Sequence, residues 1–153
     1  MATVRVVIAM VATKGWSLHQ MDVKNSFLHG ALQEEVYMMQ PEGYQDDAYP
    51  HFVCRLRKAL CGLKQAPKAW LDKIDQYLVT IGFQISDADF SLYVKRTDRG
   101  IVLVVIYVDD LIVMGDSDAD ICYASNIVLA HIFVMHLSRP WATRRKGIGE
   151  KGP

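Results

Sequence analysis

The sequence has no surplus of charge of either sign: 17 lysines and arginines balance 17 aspartates and glutamates. Phosphate contacts supply most of the affinity of a free-standing nucleic-acid binder, and such proteins carry a basic excess. Overall composition therefore speaks against an independent DNA- or RNA-binding protein, and any nucleic-acid role must come from local chemistry. Cysteine is scarce. Cys54, Cys61 and Cys122 are odd in number and none has the spacing of a metal pair, so they read as incidental thiols of a reducing compartment. No apolar run is clean enough to span a bilayer; the nearest, 121–137, is broken by Asn126, His131 and His136. The apolar start is interrupted by Arg5 and has no clear cleavage site, so it reads as a helix and not a signal peptide. A glycine-rich phosphate loop and a serine-nucleophile motif are absent, and His131 and His136 do not have the spacing of a helical zinc pair.

What is present suits one folded domain. Apolar residues make up 51% of the 153, enough for a sizeable core. Val4, Val7, Ile8 and Val11 recur at helical spacing and predict a helix over 3–14, stopped by Gly15. A strand is expected over 16–23, a turn or short helix over 25–30, and strands over 36–39 and 52–56. Pro67 opens a second amphipathic helix to 81, with Trp70, Ile74, Tyr77, Leu78 and Ile81 on one face. A strand over 90–95 and a turn at 98–100 follow. Residues 101–108 are continuously apolar and β-branched, the pattern of a buried central strand. Asp109 and Asp110 interrupt the run, 111–114 resumes it, and a last helix begins near 116–120. The order predicts an α+β fold with helices on one face of an antiparallel sheet.

The chemistry lies in carboxylates. Asp109 and Asp110 stand between two apolar strands, where burial without partners would be costly. They read either as a water-exposed hairpin turn or as a pair splayed toward one site, with a divalent cation relieving their repulsion. Asp22 ends another strand, and taken alone it reads as an ordinary strand-end or cap residue. Two strand ends carrying carboxylates can converge on a hard cation such as Mg²⁺, which takes oxygen ligands and leaves positions for substrate phosphates. Two such ions about 3.5–4 Å apart serve nucleotidyl transfer.

Longer blocks then match a family. Tyr107-Val108-Asp109-Asp110 resembles the reverse-transcriptase signature of a tyrosine, a variable residue and two aspartates. The run from Leu18 through Asp22 to Gly30 resembles the copia-type form of the first catalytic motif. Glu35 to Pro41, Gly43-Tyr44, Cys54 to Leu56, Gly62 to Trp70 and Asp87 to Tyr93 resemble further blocks in family order, covering roughly residues 3–118. The chain thus resembles the reverse-transcriptase domain of copia-type (Ty1/copia) LTR retrotransposon Pol polyproteins. That resemblance implies a palm with ferredoxin-like central topology and RNA-directed DNA synthesis, in which a primer 3′-hydroxyl attacks the α-phosphate of a deoxynucleoside triphosphate. It implies Asp22, Asp109 and Asp110 as catalytic metal ligands, for Mg²⁺ with Mn²⁺ as the alternative. The Val23 carbonyl would help hold a metal, Phe27 would exclude a ribose 2′-hydroxyl, and Gly62, Gln65 and Tyr107 would lie on the substrate side. Read alone, Phe27 is a core residue and Gly62 a helix-start glycine. Lys64 and Lys68 could meet phosphates. The implied partners are an RNA or DNA template-primer, deoxynucleoside triphosphates and the remaining Pol domains, with no membrane. The implied setting is the cytoplasmic particle of the parent element.

The match also has limits. The family has fingers strands, with basic residues over the triphosphate, before the first helix; here the fingers are expected to be incomplete. Cys61 stands where the family usually has tyrosine. After Asp120 no family continuation is legible. The expected organisation is a reverse-transcriptase region over 1–118, a divergent helix over 119–137 and a basic, disordered tail over 138–153. The fragment is expected not to polymerise alone. The rival readings are a non-catalytic transposon remnant and a nucleic-acid-binding module using the Arg139–Lys151 tail, which would bind with strong salt dependence.

Overall fold

The computed structural model describes residues 2–137 and 142–145. Helix α1 (Ala2–Lys14) leads through Gly15, at φ +66, into strand β1 (Ser17–Asp22). A 3-10 turn (Ser26–His29) follows, then β2 (Ala31–Met39), β3 (Val53–Lys58) and helix α2 (Ala66–Thr80). Strands β4 (Gln84–Ser86), β5 (Asp89–Thr97), β6 (Gly100–Tyr107) and β7 (Asp110–Gly115) precede helix α3 (Asp118–Leu137) and a last strand, β8 (Ala142–Arg145).

The strands form two antiparallel sheets among the described residues. One has the order β1-β7-β6-β5-β4, a meander with β1 added beside β7; the other has the order β2-β3-β8. β6 shows why the larger sheet is covered on both sides. Its residues are apolar without alternation, so each face carries an apolar set that must leave water. Val102, Val104 and Ile106, with Leu111 and Val113 of β7, pack on Trp70, Ile74 and Leu78 of α2 and Ile121, Ala124 and Val128 of α3. Leu103 and Val105, with Ile112 and Met114, pack instead on Val7 and Val11 of α1.

Two expectations are corrected here. The helices do not lie on one face: α2 and α3 cover one side and α1 the other, because β6 and β7 are apolar on both. The basic segment expected to be without structure supplies β8, whose Ala142–Arg145 pairs with Val53–Leu56 of β3 and satisfies backbone groups that an edge would leave open. The rest of that segment, 138–141 and 146–153, lies outside the described residues.

Helix α2 positions the site. Ala66, Trp70, Ile74 and Leu78 recur every four residues and are all buried, so one stripe of the helix is inward. Pro67 sits in its first turn, where the missing N–H costs nothing. At its other end Gly82 turns the chain at φ +91, and Lys95 Nζ donates to the Ile81 carbonyl at 2.7 Å. The 3-10 turn lies against this helix.

Candidate nucleotidyl-transfer site

β1 and β7 run antiparallel with Asp22 opposite Asp110. The Val23 N–H donates to the Asp109 carbonyl at 2.9 Å, which makes Val23 and Asp109 a hydrogen-bonded pair. Asp22 and Asp110 therefore fall at the neighbouring non-hydrogen-bonded position, where facing side chains come closest. Two carboxylates stand side by side there. Gln20, on the same face of β1, donates from Nε2 to Asp110 Oδ1 at 3.3 Å. This partner went unread in the sequence, although its offset of two from Asp22 places it on that face.

Asp109 belongs to the two-residue turn between β6 and β7, because Tyr107 and Asp110 pair across it. Val108 precedes Asp109 at φ 57. Only the first turn residue has positive φ, as in a type II′ turn, a place that glycine fills without strain. A β-branched residue there is an outlier that costs about 1–3 kcal/mol and persists only where the surroundings impose it. Two contacts hold the turn's carbonyls: the Trp70 Nε1–H donates to the Val108 carbonyl at 3.0 Å, and the Val23 N–H donates to the next one. Asp22 and Asp109 are exposed and Asp110 is half-buried. Asp22 and Asp109 make no side-chain hydrogen bond or ion pair with the described residues.

The remaining expected site residues are spread around this edge. Val23 is buried in the core, and its carbonyl accepts from the Ser26 N–H at 3.0 Å. Phe27 lies in the 3-10 turn, partly buried against the core. Gly62 is exposed at φ +96, a conformation suited to glycine, with open space where a Cβ would stand. Gln65 precedes α2 and lines a cleft of about 570 Å³ between β2 and α2, together with Gln33, Glu34, Lys68, Asp72 and Asp75. That cleft contains none of the three aspartates. Lys68, considered for phosphate, is paired with Asp72 at 2.8 Å. Tyr107 is partly exposed beside the turn. The structure thus brings Asp22, Asp110, Val23 and the Asp109 turn together; Gly62 and Gln65 belong to the segment leading into α2.

Among the described residues, no three His, Cys, Asp or Glu side chains gather closely enough to hold a metal. The donor chemistry nevertheless suits Mg²⁺. That ion is commonly bound by one or two carboxylates plus substrate phosphates and water, not by an all-protein cage. The facing Asp22 and Asp110, with Asp109 next in the chain, are all-oxygen donors of that kind.

Comparison with known proteins agrees with the class that these features define. A family model described as "Reverse transcriptase (RNA-dependent DNA polymerase)" matches residues 1–138, and the chain belongs to that family. The match runs through α3, past the last block legible in the sequence. Within the family, the chain is similar to the retrovirus-related Pol polyproteins from transposons RE2 and RE1 of Arabidopsis thaliana. Each is 46% identical over 114 residues, 74% of this chain and 8% of the relative. The corresponding polyprotein from transposon TNT 1-94 of Nicotiana tabacum is 38% identical over 116 residues, 75% of this chain and 9% of the relative. These relatives are copia-type elements. The chain therefore spans less than a tenth of the length of these relatives. No solved structure matches.

Proposed function

We propose that this chain carries the nucleotidyl-transfer site of an RNA-directed DNA polymerase and acts as one part of a larger polymerase. The observation that carries this is the pairing of Asp22 with Asp110 beside the strained turn bearing Asp109, in a chain of the reverse transcriptase family. The larger sheet with α2 and α3 is read as a palm of ferredoxin-like descent, and β2-β3-β8 as the part of the fingers present. The span of under a tenth of the relatives supports reading the remaining Pol domains as partners.

In this reading Asp22 and Asp109 would be the principal ligands of Mg²⁺ or Mn²⁺, with Asp110, opposite Asp22 in the sheet, completing the set. When bound, such ions activate an attacking hydroxyl and stabilise the leaving oxygen. The protein's own part is to fix carboxylates at two strand ends, so that no reorganisation is needed when charge develops. The primer 3′-hydroxyl attacks the α-phosphate of a deoxynucleoside triphosphate and pyrophosphate leaves. Val23, Phe27, Gly62, Gln65 and Tyr107 are assigned to the substrate side, with Phe27 acting against the sugar by a steric clash. The triphosphate carries more charge than this edge can neutralise, and the family's basic fingers residues supply the rest. The chain alone is therefore expected to be inactive.

Primer extension tests this with the chain alone and joined into the Pol polyprotein from transposon RE2 in place of its matching segment, each with an Asp109→Asn/Asp110→Asn control. We expect metal-dependent extension by the joined protein only. The double substitution should lower it at least about 10³-fold, the scale on which electrostatic stabilisation acts. A joined protein that unfolds cooperatively yet extends nothing would sink the polymerase reading, leaving a remnant. Extension that survives the double substitution would place the chemistry elsewhere.

A further inference from the structure

Val108 is the most strained described position near the site. It is β-branched, half-exposed and at φ 57, in a turn that glycine would enter freely. Its own side chain does not explain that conformation. Its carbonyl is more informative, because it accepts from the Nε1–H of Trp70, across 38 positions of sequence, at 3.0 Å. Trp70 is 1% exposed and lies in the buried stripe of α2 between Ala66 and Ile74. The ring of His29, itself buried in the 3-10 turn that follows β1, lies against it at 5.7 Å between centroids. An indole in so fixed a position can deliver its single N–H to one place only. It delivers it to the turn between β6 and β7. The next carbonyl, that of Asp109, is held by Val23 at the end of β1. Both turn carbonyls are thus tied down by different elements, one from α2 and one from the strand that carries Asp22.

We infer that Trp70 is a positioning residue for the carboxylate turn: its indole N–H holds Val108 in the left-handed conformation and so sets where Asp109 and Asp110 stand relative to Asp22. The role rests on the proposed nucleotidyl-transfer reading for its purpose, but not for its geometry. Trp70 touches neither substrate nor metal in this scheme. It acts through one peptide carbonyl. Without that bond Val108 relaxes toward ordinary φ, the peptide planes of the turn rotate, and the carboxylates move with them.

The test uses the full chain as wild type, Trp70→Phe, and Trp70→Phe/Val108→Gly. Phenylalanine keeps an aromatic ring in the core and removes the N–H. Glycine accepts φ 57 without strain, so the double variant no longer needs the hold. Two readouts are taken: amide hydrogen exchange residue by residue, and Mn²⁺ titration followed by electron paramagnetic resonance, with Asp22→Asn as control. Trp70→Phe is expected to speed exchange at Asp110 and Val23, whose N–H groups are bonded at the turn, about five-fold, as for loss of one hydrogen bond, relative to the interiors of β6 and β7. Mn²⁺ affinity should fall by a similar factor, and Val108→Gly should restore most of both. Unchanged exchange at the turn, or uniform loosening of the whole sheet, would overturn the inference. A Trp70→Phe chain that fails to fold even with Val108→Gly would assign Trp70 to core packing alone and overturn it too. If the wild type shows no Mn²⁺ binding sensitive to Asp22→Asn, the polymerase reading fails, and the exchange data still decide whether Trp70 positions the turn.

Discussion

A methyl group on Gly30 would stand 2.7 Å from the backbone carbon of Ala69 and the backbone nitrogen of Trp70. Backbone atoms cannot step aside as a flexible side chain can, so this glycine sets how closely the 3-10 turn approaches α2. Gly30→Ala is expected to destabilise the fold by about 1–3 kcal/mol, the usual cost of overpacking. Urea unfolding checks this: the midpoint should fall with little change in slope. The contact was not legible in the sequence. Gly30 closes the first catalytic block there, and nothing local says which helix lies against it. Asp22 shows the other side of the comparison. Its place at a strand end was readable from the alternation before it, whereas its partner across the sheet was not. Register is a property of two strands, and one slip would turn Asp22 to the opposite face.

Between helices, α2 and α3 meet through an aromatic pair. The rings of Tyr77 and His131 stack at 3.6 Å with 2° between planes, and the Tyr77 hydroxyl donates to the Ile127 carbonyl at 3.0 Å. Burial, aided by the charge of Lys73, lowers the His131 pKa below its ordinary 6.5. The folded state therefore prefers neutral imidazole, and the unfolded chain binds more protons once the pH drops below about 6.5. Stability should decline from there downward until the folded-state pKa is passed. His131→Phe, which keeps a stackable ring and removes the titration, should flatten that segment of the profile in thermal melts run from pH 7.5 to 5. The sequence placed a helix in this region and read its histidines only as a failed zinc pair. Their packing role needed α2 to be brought alongside. β4, at Gln84–Ser86, was missed for a related reason: it is three residues long and owes its existence to pairing with β5.

For the molecule as a whole, the decisive arrangement is a sheet wrapped on both sides. α1 closes the second face with Val7 and Val11, and its first turn is tied to β5 where the Thr3 hydroxyl donates to the Asp89 carboxylate. That bond, with the Ser91 backbone and hydroxyl, holds the Asp89 pKa down to about 2. Val11→Asp would place a charge against Leu103, Val105, Ile112 and Met114. It should cost about 3 kcal/mol or more, or release α1 and expose that face. Increased binding of a hydrophobic dye, with β6 still protected from hydrogen exchange, would identify release. Loss of protection throughout would show that α1 is needed for the sheet itself.

The amino-acid sequence by itself determined most of the elements and the family. Periodicity marked α1 and α2, the unbroken apolar run marked β6 as central, and the ordered blocks around Asp22 and Tyr107–Asp110 indicated the family. These are local signals, carried by spacing and residue type within a few turns of chain. Tertiary structure alone decided which face each helix covers, that 142–145 joins β3, that Asp22 faces Asp110, and that a tryptophan 38 positions away holds the turn beside them. Each of these depends on contacts between distant segments, whose energies exist only once the sheet has formed and its apolar faces have been withdrawn from water.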